Sequence, residues 1–133
     1  MKKIGFCVAA VLATVVLVPR SHAIGGEQLG CFVNVGKPGV YQVGSCGAEL
    51  PQSSYDAIFH VLGGSGTYTY AWTHSSGTIS SGCGSTDDFC IIHVLGNTAR
   101  HVITVNATLF QSGLQNTVSA TAEIEPVCGN AFC

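Results

Sequence analysis

Apolar and polar side chains alternate with a period of two over most of the chain beyond residue 54, the pattern of strands that bury one face. From Tyr55 to Leu62, Ala57, Phe59 and Val61 fall on one side, with Asp56 and His60 on the other. Gly63-Gly64-Ser65-Gly66 then turns the chain. From Thr67 to Thr73 the alternation is strict, with Tyr68, Tyr70 and Trp72 opposite Thr67, Thr69 and Thr73. Residues 77 to 82 are weakly patterned and fit a short edge strand, whereas 89 to 95 is β-branched and apolar enough for a central one, ended by Gly96-Asn97. From His101 to Phe110, Ile103, Val105, Ala107 and Leu109 point inward. After a turn at Gln111-Ser112-Gly113, residues 117 to 125 repeat the pattern, with Val118, Ala120, Ala122 and Ile124 in and Ser119, Thr121, Glu123 and Glu125 out. Helical spacing over three turns is missing after the first 23 residues, and turn residues recur about every ten positions. The expectation is an all-β, two-sheet sandwich.

The first 23 residues follow a different rule. Lys2 and Lys3 precede an apolar run from Ile4 to Val18, and Pro19 breaks that run before Ser21-His22-Ala23. A basic start, an apolar stretch shorter than the roughly 18 residues of a membrane span, and small residues at the end make a secretory signal, with the cut expected after Ala23. Cleavage is favoured over a retained anchor, so no membrane span is expected in the mature chain. Cys31 does not read as a lipid-attachment cysteine, because Gln28 stands where that motif wants an aliphatic residue and the apolar run ends well before it. Residues 24–133 then form a single domain.

Cleavage changes the charge. The full chain has a formal net charge of −2, but losing Lys2, Lys3 and Arg20 leaves only Lys37 and Arg100 against seven acidic residues, a net of −5. Nucleic acid and anionic membranes are poor partners for such a domain, since both are held by clusters of Lys and Arg. Ser, Thr, Gly, Asn and Gln supply a polar but uncharged surface instead.

Of seven cysteines, Cys7 lies in the signal, and an even number in a small exported domain argues for disulfides. Zinc is disfavoured, because neither Cys-x-x-Cys spacing nor a Cys/His quartet occurs. Six cysteines permit fifteen pairings, which local geometry narrows. If the segment between Cys31 and Cys46 folds back about Pro38-Gly39, its arms 32–35 and 40–43 form a hairpin with Cys31 opposite Cys46. Cys83 and Cys90 flank the polar turn 84–89, and Cys128 and Cys133 tie off the C-terminus. The alternative left open is that one bridge crosses between the sheets.

The run Gly63-Gly64-Ser65-Gly66-Thr67-Tyr68-Thr69-Tyr70-Ala71-Trp72 resembles the second-to-third strand hairpin of bacterial immunoglobulin-like and PKD-like β-sandwich domains, including those of surface adhesins. Over residues 55 to 125 the resemblance implies an immunoglobulin-like two-sheet sandwich, here with an N-terminal hairpin and local disulfides. Two departures stand out. Trp72 is followed by Thr-His-Ser-Ser-Gly rather than Asp-Phe-Gly-Asp-Gly, and the penultimate strand has no tyrosine, so the fold is implied but no binding residues are.

Candidate chemistry is sparse. His60, His74, His93 and His101 have no companion carboxylate at a recognisable spacing, Asp87-Asp88 fits a solvated turn better than a calcium site, and Asn106-Ala107-Thr108 matches the N-glycosylation pattern. Tyr68, Tyr70 and Trp72 form a sugar-stacking platform if they face solvent and plain packing if they face the core. The expectation is therefore a secreted or periplasmic, non-catalytic module without a cofactor or metal, used for interaction with a protein or glycan or as a structural part of the envelope. The alternatives are a small secreted inhibitor presenting the turn 83–90 and a carbohydrate-binding module.

Overall fold

The computed structural model describes residues 24–34 and 40–133. The expectations for the signal, with its cut after Ala23, and for the Pro38-Gly39 turn lie outside the described residues. The described residues form eleven strands and no helix: β1 (Gln28–Val33), β2 (Gln42–Val43), β3 (Ser45–Gly47), β4 (Ser54–Leu62), β5 (Thr69–His74), β6 (Thr78–Gly82), β7 (Phe89–Leu95), β8 (His101–Gln111), β9 (Leu114–Ile124), β10 (Val127–Cys128) and β11 (Ala131–Phe132). Accordingly, no helix among them is long and apolar enough to cross a membrane.

Two sheets carry the fold. One has the order β2-β1-β4-β7-β6, the other β3-β9-β8-β5, and β10-β11 is a small separate hairpin. Period-two patterning explains the long strands directly. Tyr55, Ala57, Phe59 and Val61 of β4, Cys90, Ile92 and Val94 of β7, Ile103, Val105, Ala107 and Leu109 of β8, and Ala120, Ala122 and Ile124 of β9 are all buried in one core with Leu29, Cys31 and Val33 of β1. Each large side chain among them contributes about 1.5–3 kcal/mol relative to exposure, so the inward rows hold the two layers together.

The first hairpin departs from expectation. Its pairing places Gly30 opposite Val43 and Cys31 opposite Gln42, so Cys46 is not the cross-strand neighbour of Cys31. After β2 the chain bends at Gly44, whose φ of 81° is the left-handed region that glycine enters without steric cost. It then crosses to the other sheet, where β3 runs parallel to β9 with Cys46 opposite Ala122. The Cys31–Cys46 bridge therefore joins strands of different sheets. Cys83–Cys90 links the end of β6 to β7, and Cys128–Cys133 ties the β10-β11 hairpin. Three disulfides of this kind belong to an oxidising, extracytoplasmic environment.

The outer faces differ in chemistry. On the five-stranded sheet, Phe32, Ile58 and Ile91 form a half-buried apolar row across three strands. Gly30 makes room beside it, since a Cβ there would lie 2.6 Å from Leu62 Cδ1 and 3.0 Å from Tyr41 Cβ. On the four-stranded sheet the outward residues are mainly hydroxyls and amides. Thr104 meets Thr121 at 3.2 Å and Thr108 meets Thr117 at 2.9 Å, each across the β8-β9 ladder, and Asn106 bridges Thr73 and Ser119.

Candidate functional site

The aromatic row sits at the open edge of the four-stranded sheet. Tyr70 and Trp72 pair in register with Leu109 and Ala107, both fully buried, so these side chains lie on the inner face of β5. They are nevertheless only half-buried, because β5 is the last strand of its sheet. Tyr70 and Trp72 stack with ring centroids 6.0 Å apart, and Tyr68 continues the row 6.2 Å from Tyr70.

The segment 83–88 closes over this edge. Trp72 Nε1 donates to the Asp87 carbonyl at 3.0 Å, and the Tyr70 amide donates to the Ser85 carbonyl at 2.9 Å. Inside the turn, Asp87 Oδ2 accepts the Gly84 amide at 2.8 Å. Cys83 stands at φ 66°, uncommon for a residue with a side chain, and its amide donates to Phe89 O at 2.9 Å as the chain leaves β6. The disulfide-braced turn is thus docked on the protein's own edge strand. Burial, with the Asp88 charge adding to it, raises the Tyr70 pKa above the ordinary phenol value.

Glu27 anchors the upper end of the row. Only 6 % exposed, its carboxylate accepts the Gly25 amide at 2.9 Å, the Tyr68 hydroxyl at 2.8 Å and Asn116 Nδ2 at 3.0 Å. Burial alone would raise its pKa, but these hydrogen bonds and one from its own backbone together outweigh it and hold the carboxyl below the usual value. Tyr68 shifts the opposite way, through burial and through donating to Glu27. One buried carboxylate therefore joins the start of β1, the aromatic row and β9.

Two of the four histidines among the described residues have carboxylate partners, which spacing along the chain did not reveal. His60 Nε2 lies 3.1 Å from Asp88 Oδ2, and His93 Nδ1 lies 2.9 Å from Asp56 Oδ1. Both pairs stand on the outer face of the five-stranded sheet, one on each side of the apolar row along the strands. Cross-strand register makes them, since Asp56 is directly opposite His93 while His60 faces Phe89 next to Asp88. The His60 ring also lies 5.1 Å from Tyr41, which in turn meets Phe32 at 5.0 Å. Such a pair orients the imidazole. His74 instead meets the Ser76 carbonyl, and His101 the side chain of Asn97.

No family model, curated protein or solved structure matches this chain. Its own geometry has to carry the reading. Asp87 and Asp88 turn in different directions, toward Gly84 and toward His60, and no group of three or more His, Cys, Asp or Glu among the described residues is arranged to hold a metal. The side chain of Asn106, in the glycosylation pattern, is engaged by Thr73 and Ser119 in the middle of β8. Sequence reasoning missed Glu27 and the His–Asp pairs because their side-chain partners come from distant segments, and strand register would have revealed only the His–Asp pairs.

Proposed function

We propose that the protein is an exported, non-catalytic immunoglobulin-like domain, secreted or periplasmic, that serves as an interaction or structural module. The strand order carries the reading. β1-β4-β7-β6 follows the order A-B-E-D of a seven-stranded immunoglobulin sandwich, and β5-β8-β9 follows C-F-G, with β3 added parallel to the last strand. The three disulfides and the basic-apolar-small pattern of residues 1–23 support export. An inhibitory role for the turn 83–90 fits less well, because that turn is engaged in closing the sandwich edge.

The test is a broad hydrolase and transferase activity screen of the protein recovered from an oxidising export pathway, beside His60→Ala and Asp88→Ala. No turnover above background is expected from any of the three. Turnover that either substitution abolishes would overturn the non-catalytic reading. Thiol alkylation before and after reduction checks export separately, the expected result being no free thiol until reductant is added.

A further inference from the structure

A cleft of about 350 Å³ opens at one end of the sandwich, remote in sequence from the aromatic row and lined by Pro51, Gln52, Ser53, Gly96, Val127 and Asn130 among others. That volume is near the lower end of the roughly 300–1,000 Å³ of small-molecule sites. Its walls come from three segments: the approach to β4, the exit from β7, and the β10-β11 hairpin.

Main-chain bonds fix those walls. The Gly96 amide donates to the Ser53 carbonyl at 3.0 Å, the Val127 amide to the Asn97 carbonyl at 2.7 Å, and the Cys133 amide to the Pro126 carbonyl at 2.9 Å. The phenol of Tyr55, itself 1 % exposed, accepts the Gln52 amide at 2.7 Å and donates to the Leu50 carbonyl at 3.1 Å. Gly96 is required for the closeness of two walls, since a Cβ there would lie 1.9 Å from the Gln52 carbonyl oxygen. Cys128–Cys133 braces the third wall. The side chains of Gln52, Ser53 and Asn130 take no part in this bracing and are exposed at the cleft. A ligand would therefore meet polar groups on a frame already in place, which lowers the ordering cost of binding.

We propose that this cleft binds a small, neutral, hydroxyl-rich ligand of the size of one or two sugar rings. No charged side chain lines it, so a phosphate, carboxylate or ammonium group would lose water without gaining a counter-charge. Two amides and a hydroxyl suit a neutral polyol, because an amide accepts through oxygen and donates through nitrogen, as adjacent ring hydroxyls require in reverse. Pro51 and Val127 give a small apolar surface for the C–H face of a sugar. This site is independent of the proposed immunoglobulin-like reading, and either stands if the other fails.

Amide-resolved NMR of the exported, oxidised protein tests it, titrated separately with glucose, N-acetylglucosamine, cellobiose, glucuronate and a capped neutral dipeptide. The expected result is saturable shifts at Gln52, Ser53, Gly96 and Asn130 with at least one neutral saccharide, and none stronger with glucuronate. Gln52→Ala and Asn130→Ala, each on an exposed side chain, should weaken that binding about tenfold, some 1.4 kcal/mol, with the rest of the spectrum unchanged. Unsaturable or no shifts at the cleft with every neutral saccharide would overturn the proposal. So would shifts confined to Tyr68, Tyr70 and Trp72, tighter binding of glucuronate or of the dipeptide, or full affinity in both variants.

Discussion

The two edges of the sandwich are closed by different means. At one, β1 and β3 belong to opposite sheets and the Cys31–Cys46 bond runs between them inside the core, with Cys31 fully buried and Cys46 nearly so. At the other, the local Cys83–Cys90 bond shapes a turn, and the turn closes the edge through Trp72 and the Tyr70 amide. The first edge is held covalently; the second depends on packing and two hydrogen bonds. Opening the second should leave the first intact, whereas losing the first removes a link between the layers themselves.

The largest effect should come from Cys31→Ala with Cys46→Ala. A bridge with a sequence separation of 15 removes unfolded-state entropy worth about 3 kcal/mol in the chain-entropy model, and the lost core sulfurs add to the cost. The bond lost in Cys83→Ala with Cys90→Ala closes a shorter loop, of separation 7, and its loss should cost about 2 kcal/mol. Urea unfolding of both variants under oxidising conditions reads the difference, and the reverse order would break the comparison.

Next in size, Trp72→Ala should cost about 2 kcal/mol, below the range for a wholly buried tryptophan because the indole is only half-buried. Trp72→Phe keeps much of the packing but loses the donor to Asp87, and should cost about 1 kcal/mol. Trp72 is the chain's one tryptophan, so its fluorescence reports this edge directly. Acrylamide should quench it partially in the folded protein, and markedly more after Cys83→Ala with Cys90→Ala. Unchanged quenching would mean that the disulfide does not hold the turn in place.

The covalent edge was the less legible of the two in sequence. Alternation in 55–62, 89–95, 101–110 and 117–125 marks the inward rows because burial imposes period two on every strand with one wet face. The same logic places Tyr70 and Trp72 on the inner face. It cannot set the register of the first hairpin, where a Pro-Gly turn and the spacing of Cys31 and Cys46 suggest one sheet while Gly44 sends the chain to the other. Nor does spacing along the chain reveal Asp56 beside His93, or Ser53 beside Gly96, because strands far apart in sequence bring those pairs together.

The smallest effect concerns what the two edges share. Glu27 ties the start of β1, the strand held covalently, to Tyr68 at the end of the aromatic row, and Asn116 of β9 completes the clamp. Glu27→Gln preserves shape but loses the charge that strengthens those hydrogen bonds, and should cost about 1 kcal/mol at neutral pH. Because the folded-state pKa lies below the usual 4.5, the carboxylate's contribution is fully present above that pH and fades as the pH falls through the folded value. Urea midpoints of the wild type and Glu27→Gln should therefore differ at neutral pH and draw together only as the pH falls below 4.5 through the folded value. A difference of constant size down to strong acid would show that the clamp works through shape rather than through the carboxylate's charge, and the two edges would then be joined by packing alone.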